Sequence, residues 1–429
     1  MARVLPIGED SVFPRVTTSG LSSELQDFRR PADRVNPTLN FRSLPLQFLF
    51  PVYDPDAQNW GWEARLLRWM TLIWVAIGLL TLFSASYVEA VRTTGDGLYY
   101  FKRQIVWTLI GLGFFNAIVR IPLKYLLARS RLVLLAVLIL LVLTLIPGLG
   151  TTVNGATRWI EVGIVPIQPS EPMKPCLILQ AAFIFGRWNR ISPRDRITWF
   201  ALAGAILTAI LLQPNLSTTL MCGIILWLMA IAAGLSWSLL GMTAVGGGTL
   251  AALSLALQDY QRRRILSFLD PWDVADGDGY QLVQSLLAVA SGGLWGQGFG
   301  LSQQKLYALP IQYSDFIFAV FAEEFGFVGC SLAIVFLTIY GGLAWWVAAA
   351  APRLSHQLVA IGALVALVGQ ASVNIGVVTG ALPTTGLPLP MFSYGGSSMV
   401  SSLAIAALLV RVARENRQAE VLEFDRAAN

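Results

Sequence analysis

The sequence predicts an all-α polytopic membrane protein. It has ten transmembrane helices and a large structured extracytoplasmic loop between helices 7 and 8. Three observations carry that expectation. The 429 residues are 55% hydrophobic and only 13% charged, against about 25% charged for a soluble domain. Long apolar runs recur along most of the chain. Arginines gather in short segments between those runs, on alternate turns of the chain.

Residues 1–64 differ in kind. They mix Pro, Ser, Asp and Arg without a sustained period, and they lack the basic stretch and apolar core of a signal peptide. The expectation is a flexible cytoplasmic tail, whose FRSLPLQFLFPVYDP segment lies on the membrane or docks a partner if it is more than a tail. Spans follow near 66–86, 102–119, 131–147, 170–187, 196–212, 216–233, 237–257, 315–347, 357–379 and 394–411. Together, 65–414 form the transmembrane domain and 415–429 a cytoplasmic C-terminal tail. The eighth span is longer than a bilayer needs, so it tilts or projects at its start.

Orientation follows from arginine and lysine. Arg120, Lys124, Arg129 and Arg131 fill one short loop; Arg187, Arg190, Arg194 and Arg196 fill another; Arg411, Arg414 and Arg417 follow the last span. With ten spans these share a side with both termini, and that side is cytoplasmic. The net charge of +5 is therefore topology information and not a nucleic-acid footprint. Arg262–Arg264 breaks the rule by falling in the long outer loop 258–314. A triplet misplaced in this way suits a substrate anion.

The outer segments are irregular. Pro147 to Pro169 carries NGATRW. Within 258–314, Tyr280 to Val289 reads as a helix, and SGGLWGQGFG after it as a tight, kinked or re-entrant element. Gly380 to Ser393, GALPTTGLPLPMFS, has too many Pro and Gly residues for a regular helix. Irregular backbone at that depth is tolerated where protein buries it or where it lines a cavity.

The chemistry must come from Asp, Glu, Lys and Arg. Cys176, Cys222 and Cys330 lie far apart in apolar segments, without a disulfide framework or zinc spacing. His356 is the only histidine, and it falls on the cytoplasmic side. Asp315 stands at the border between a polar loop and an apolar helix, where it either caps the helix or serves as a base whose pKa desolvation lifts. Glu323 and Glu324 lie about two turns deeper, where a charge costs roughly 2.5–3.5 kcal/mol; they are expected to pair with cations as structural supports. Glu171 and Lys174, spaced by three, share a helix face at the start of the fourth span, either as a structural ion pair or as a cation held ready for a phosphate. Arg158 offers a planar fork to a pyrophosphate, or snorkels beside Trp159. Gln168, Lys305, Ser393 and Ser397 complete the substrate-binding candidates, the last two within SYGGSS, a hydroxyl-and-amide cradle at a helix start. No Walker loop, dinucleotide fingerprint or metal cluster occurs. Outer-face cations, one acid and apolar walls suit a lipid-linked anion; they do not choose between moving it and reacting it.

NGATRWIEVG, IQPSEPMK, LLQPNLSTT, FLDPW, GYQLVQS, SGGLWGQGFG, YSDFIFAVFAEEFGFVG and LPTTGLPLPMFSYGGSS together resemble the SEDS family (shape, elongation, division and sporulation) from about Leu66 to Arg414. Gly279–Gln281, the run Gly298–Lys305 and Gly396–Ser398 are closer to its FtsW branch than to RodA. The resemblance implies a peptidoglycan glycosyltransferase of the cytoplasmic membrane. Such a protein polymerises lipid II on the outer face beside a class B penicillin-binding protein (an FtsI-like transpeptidase) and other divisome proteins. The family's essential aspartate falls on Asp315, its charged pair on Glu171 and Lys174, and its loop arginine on Arg158. No organic cofactor is implied; Asp315 is either the base or a ligand to a divalent cation, Mg or Mn. The family usually reads Pro-Glu-x-His-Thr-Asp where this chain reads Pro310-Ile311-Gln312-Tyr313-Ser314-Asp315, so the acid and the imidazole are replaced. Two rival readings stay open: a lipid II flippase, and a non-catalytic divisome scaffold.

Overall fold

The computed structural model describes residues 60–153, 156–162, 165–307, 309 and 312–428. Residues 1–59, which make up most of the expected tail and its FRSLPLQFLFPVYDP segment, lie outside the described residues, as do Asn154, Gly155 and Ile311.

Each of the ten apolar runs is helical. In chain order they form α1 (Trp62–Thr94), α2 (Tyr99–Arg120), α3 (Leu123–Leu143), α4 (Ser170–Phe185), α5 (Pro193–Leu212), α6 (Leu216–Ala232) and α7 (Trp237–Leu257). The long segment after α7 holds three more helices, α8 (Asp259–Leu269), α9 (Tyr280–Ser291) and α10 (Gln304–Tyr307). Then come α11 (Ile317–Ala349), α12 (Leu354–Leu364), a π turn (Val365–Gly369), α13 (Gln370–Val378) and α14 (Gly396–Ala428). The first helix begins at Trp62, two residues inside the segment expected to be tail, and α14 carries on well past 411. Among the described residues, seven stretches are long and apolar enough to cross a membrane: α1, α3, α5, α7, α11, the α12–α13 unit and the first part of α14. Of the others, α2 carries Lys102, Arg103 and Arg120, while α4 and α6 are only 16 and 17 residues long.

The lipid-facing character is plainest in α7. It is apolar all round, yet only Leu240 and Ser254 are buried. A surface of that kind needs an apolar solvent. By contrast, α14 is the hub: Leu403, Ala406, Leu409, Val410 and Val412 are wholly enclosed, and at Gly396 a Cβ would stand 2.1 Å from the Trp107 ring of α2.

Two corrections to the all-α expectation follow. Residues before α4 form a three-stranded antiparallel sheet, β1 (Gly150–Val153), β2 (Ala156–Val162) and β3 (Val165–Ile167), in the order β1-β2-β3. Trp159 pairs with Thr151 and Ile160 with Ile167. The hairpins pair backbone groups between neighbouring strands that an irregular loop would leave without partners in the protein. The second correction concerns α11, which neither runs straight nor simply tilts. Gly326 adopts φ 64°, ψ −165° and breaks it. That conformation suits glycine, and a Cβ there would stand 2.3 Å from the Gly296 amide nitrogen. The glycine-rich turn after α9 fills the break. Gln297 and Gly298 N–H donate to the Glu323 and Glu324 carbonyls at 2.9 and 3.1 Å, and Phe327 and Val328 N–H donate to Gly293 and Leu294 at 2.9 and 3.1 Å. The long segment is thereby clasped onto the helix that follows Asp315.

Candidate active site around Asp315

Asp315 sits in the turn 312–316, one residue outside the helix cap. The cap position is Phe316, without a side-chain capping bond, so the carboxylate is not used to close the helix. Its turn is fastened on three sides instead. The Asp315 carbonyl accepts from Asn374 Nδ2 at 2.8 Å, the Ser314 carbonyl accepts from Ser393 Oγ at 2.7 Å, and the Tyr313 carbonyl accepts from Tyr394 N–H at 2.9 Å. Asn374 also donates to the Leu387 carbonyl at 2.9 Å. The Pro-rich segment 380–393 is therefore the wall of the site.

The side chain is left with few bonds. Ser314 Oγ donates to Asp315 Oδ1 at 2.9 Å. Around Oδ2 the neighbours are cations. A Cβ on Gly386 would stand 3.2 Å from Asp315 Oδ2 and 3.4 Å from Arg264 Nη1, so acid and guanidinium border the same space beside this glycine. Among the described residues no cation pairs directly with Asp315. Burial raises its pKa above the usual carboxylate range, and the Ser314 hydroxyl, Arg264 and Arg158 pull the other way without prevailing.

Arg158 projects from β2. Its Nε donates to the Gln213 carbonyl at 3.0 Å and its Nη2 to the Pro214 carbonyl, at the α5–α6 corner. Burial lowers its pKa, with Tyr260 and Asp315 acting to raise it and Arg264 to lower it further. Arg264 comes from α8, its guanidinium 4.6 Å from the Tyr260 ring one turn earlier. Its neighbours turn outward: Arg262 pairs with Asp259 at 2.8 Å and Arg263 approaches Asp278 at 4.0 Å, all exposed. The triplet stood out in the sequence, and the i, i+4 spacing of Tyr260 and Arg264 was the signal for which member faces the site.

The remaining candidates are held by the protein itself. Glu171 and Lys174 are buried, Lys174 Nζ donating to Glu171 Oε1 and Gln370 Oε1, both at 2.9 Å. Gln370 Nε2 donates in turn to the Pro388 carbonyl at 2.7 Å. The pair thus braces the same wall that Asn374 holds, one helical turn away, and does not itself reach Asp315. Ser393 Oγ also accepts from Leu389 N–H at 2.8 Å, and Ser397 Oγ accepts from Gln168 N–H at 3.0 Å. Ser393 therefore serves as a strut, its hydroxyl both donating and accepting, while Ser397 is shown only as an acceptor. Lys305, expected among the substrate ligands, is buried and pairs with Glu324 at 2.5 Å while donating to Ser84 Oγ at 2.7 Å. Glu323 accepts from Ser302 Oγ at 2.5 Å and Gln303 N–H at 2.9 Å. Both glutamates anchor the long segment, as supports. Tyr313 stacks on Tyr100 with centroids 4.6 Å apart, and Tyr394 meets both edge-on. Burial and the Tyr100 contact push the Tyr313 phenol upward, so it stays neutral.

The donor set does not make a metal site of its own. Among the described residues no group of three potential ligands forms, and Asp315 is one carboxylate between two guanidiniums. Mg²⁺ bound there would have to take its other ligands from substrate phosphates and water.

A family model described as cell cycle protein, covering FtsW, RodA and SpoVE, matches residues 64–418. A probable peptidoglycan glycosyltransferase FtsW from Synechocystis sp. is 54% identical, over 88% of this chain and 96% of that protein. Stage V sporulation protein E of Bacillus subtilis is 37% identical, over 82% and 97%. Among solved structures, a peptidoglycan synthase complex that coordinates polymerization and crosslinking contains a chain 28% identical with a TM-score of 0.66, covering 84% of this chain and 99% of that one. The rod shape determining protein RodA of Thermus thermophilus is also 28% identical, with a TM-score of 0.62 and coverage of 84% and 99%. Sequence and fold agree: the chain belongs to the FtsW/RodA/SpoVE family.

Proposed function

We infer that this chain, an FtsW-like peptidoglycan glycosyltransferase, joins lipid II units with Asp315 as the general base. The observation that carries the assignment is the contrast in satisfaction. Among the described residues, Asp315 combines a carboxylate without a direct cation partner, a raised pKa and the charges of Arg264 and Arg158. Its carboxylate takes the proton of the acceptor sugar 4-hydroxyl as that oxygen bonds to the donor anomeric carbon. The bond from that carbon to undecaprenyl pyrophosphate breaks, and the leaving group departs with the electron pair. Arg158 and Arg264 hold the charge that develops on it. Their rigid forks suit a diphosphate. Glu171 and Lys174 act through Gln370, by fixing the wall at Pro388.

The accompanying topology is ten crossings, with α2, α4 and α6 completing the seven longer apolar stretches. Both termini are cytoplasmic and the Asp315 end faces outward. The arginine pattern supports that orientation. A class B transpeptidase is the proposed partner within the divisome, supported by the likeness to a synthase complex.

The test is polymerisation of labelled lipid II by the purified full-length protein, alone and with its penicillin-binding partner. Wild type should yield glycan strands and Asp315→Asn should not. Strand synthesis by folded Asp315→Asn at the wild-type rate would remove the assignment.

A further inference from the structure

At the end of the bundle opposite Asp315, a cavity of about 540 Å³ opens between the start of α3, the α4–α5 connection, the end of α6 and the start of α12. Its charged lining is all of one sign: Lys124, Arg187, Arg190 and Arg353, with no carboxylate. Gathering four cations around one hollow costs mutual repulsion unless an anion offsets it. All four are exposed. Two hold their charged heads over aromatic rings, the Arg187 guanidinium 4.3 Å from Phe183 and the Lys124 ammonium 5.0 Å from Tyr125. The cavity also receives a helix start. α12 begins with Arg353 at its cap, without a side-chain cap and without an acid in its first turn. The His356 amide donates to the Arg353 carbonyl at 2.9 Å, which leaves Leu354 and Ser355 N–H without a capping acceptor.

A second observation points the same way. His356 lines this cavity, is 4% exposed, and its Nδ1 has no hydrogen-bond partner. The acid nearest to it, Glu415, faces the Nε2 side at 3.5 Å and is already engaged by Arg411 at 2.7 Å and Leu123 N–H at 2.7 Å. None of these groups takes part in the chemistry at Asp315.

We propose that this cavity binds the phosphate of an anionic phospholipid headgroup from the inner leaflet. The leaflet assignment rests on the orientation given above. Phosphate is the shared chemistry of lipid and soluble candidates. Lipid is favoured because Leu127, Phe183 and Trp188 also line the hollow, which gives an acyl chain an apolar path beside the cations. Basic pockets between helices at this membrane face suit such headgroups.

The experiment is native mass spectrometry of the full-length protein in detergent, titrated with phosphatidylglycerol or phosphatidylethanolamine. Phosphatidylglycerol should be retained selectively. Arg187→Gln with Arg353→Gln should weaken retention about 25-fold, at about fivefold per cation. Lys124→Gln with Arg190→Gln should do the same should the first pair misfold. Arg129→Gln, on the same face but outside the cavity, should change little. Equal retention of both lipids, or an equal loss with Arg129→Gln, would overturn the site in favour of diffuse surface charge. Displacement of the lipid by millimolar glycerol phosphate would keep a phosphate site and overturn the lipid as its source.

Discussion

Two acidic regions lie a few residues apart on the same stretch of chain, and they are treated in opposite ways. Glu323 and Glu324 are about 1% exposed; Glu323 accepts through both oxygens from Ser302, Gln303 and Gln304, and Glu324 is committed through Oε1 to Ser84 and Lys305, while its Oε2 is buried without a partner. Asp315 has one hydroxyl bond, no direct cation partner and guanidiniums held at a short remove. The two glutamates are tied to the long segment that they hold. An under-satisfied carboxylate that burial has raised is poised to take a proton. Depth in the bundle alone would have ranked the three acids the other way.

The largest expected effect separates the two regions directly. Asp315→Asn should lower lipid II polymerisation by about 10²–10⁴-fold, the span typical of a lost general base, measured on protein with an unchanged size-exclusion profile. Its thermal midpoint at neutral pH should not fall. The folded pKa of Asp315 lies above its unfolded value, so its favourable contribution exists at low pH and is lost as pH rises through the folded pKa. Replacing it removes a neutral-pH penalty.

Glu324→Gln should do the reverse. It leaves Lys305 charged and buried, a loss of about 3–5 kcal/mol, read as a lower thermal midpoint in detergent. Lys305→Met combined with Glu324→Leu should recover most of it. If the double replacement is as unstable as the single, the pair is more than an anchor.

Arg264→Gln tests what tunes Asp315. Because Arg264 pulls the Asp315 pKa down, removing it should move the ascending limb of the pH–rate profile upward. The limb itself should lie above the ordinary carboxylate range, with activity rising as pH rises through it. Polymerisation at neutral pH should drop about 10-fold or more, as a leaving-group donor is lost. Smallest of all, treatment with EDTA should change the rate less than about twofold, the outcome that a base working without a metal requires. Loss of activity on chelation, restored by Mg²⁺ or Mn²⁺, would give Asp315 a ligand role.

The helices were legible because apolar runs of this length have few alternatives. Asp315 was legible from its place at a loop–helix border. The sheet before α4 was not read, although its Asn-Gly dipeptide between alternating residues is a hairpin signal. Arg264 was seen only as part of an odd triplet, since one turn of helix decides which arginine faces inward. Lys305 and Ser393 looked available because sequence shows a group and not what already occupies it. The clasp between Gly326 and Gly296 was invisible: EEFGFVG reads as ordinary helix, and its break exists only with its partner in place.

The π turn at Val365–Gly369 has a consequence for register. It inserts one residue into a helix that would otherwise continue unbroken, and one residue turns everything beyond it by about 100°. Gln370 and Asn374, which bond the braced pair and the Asp315 turn to the same wall, owe their facing to that insertion. Deleting a single residue between 365 and 369 would leave every side chain of the site intact and swing its two amides out of alignment.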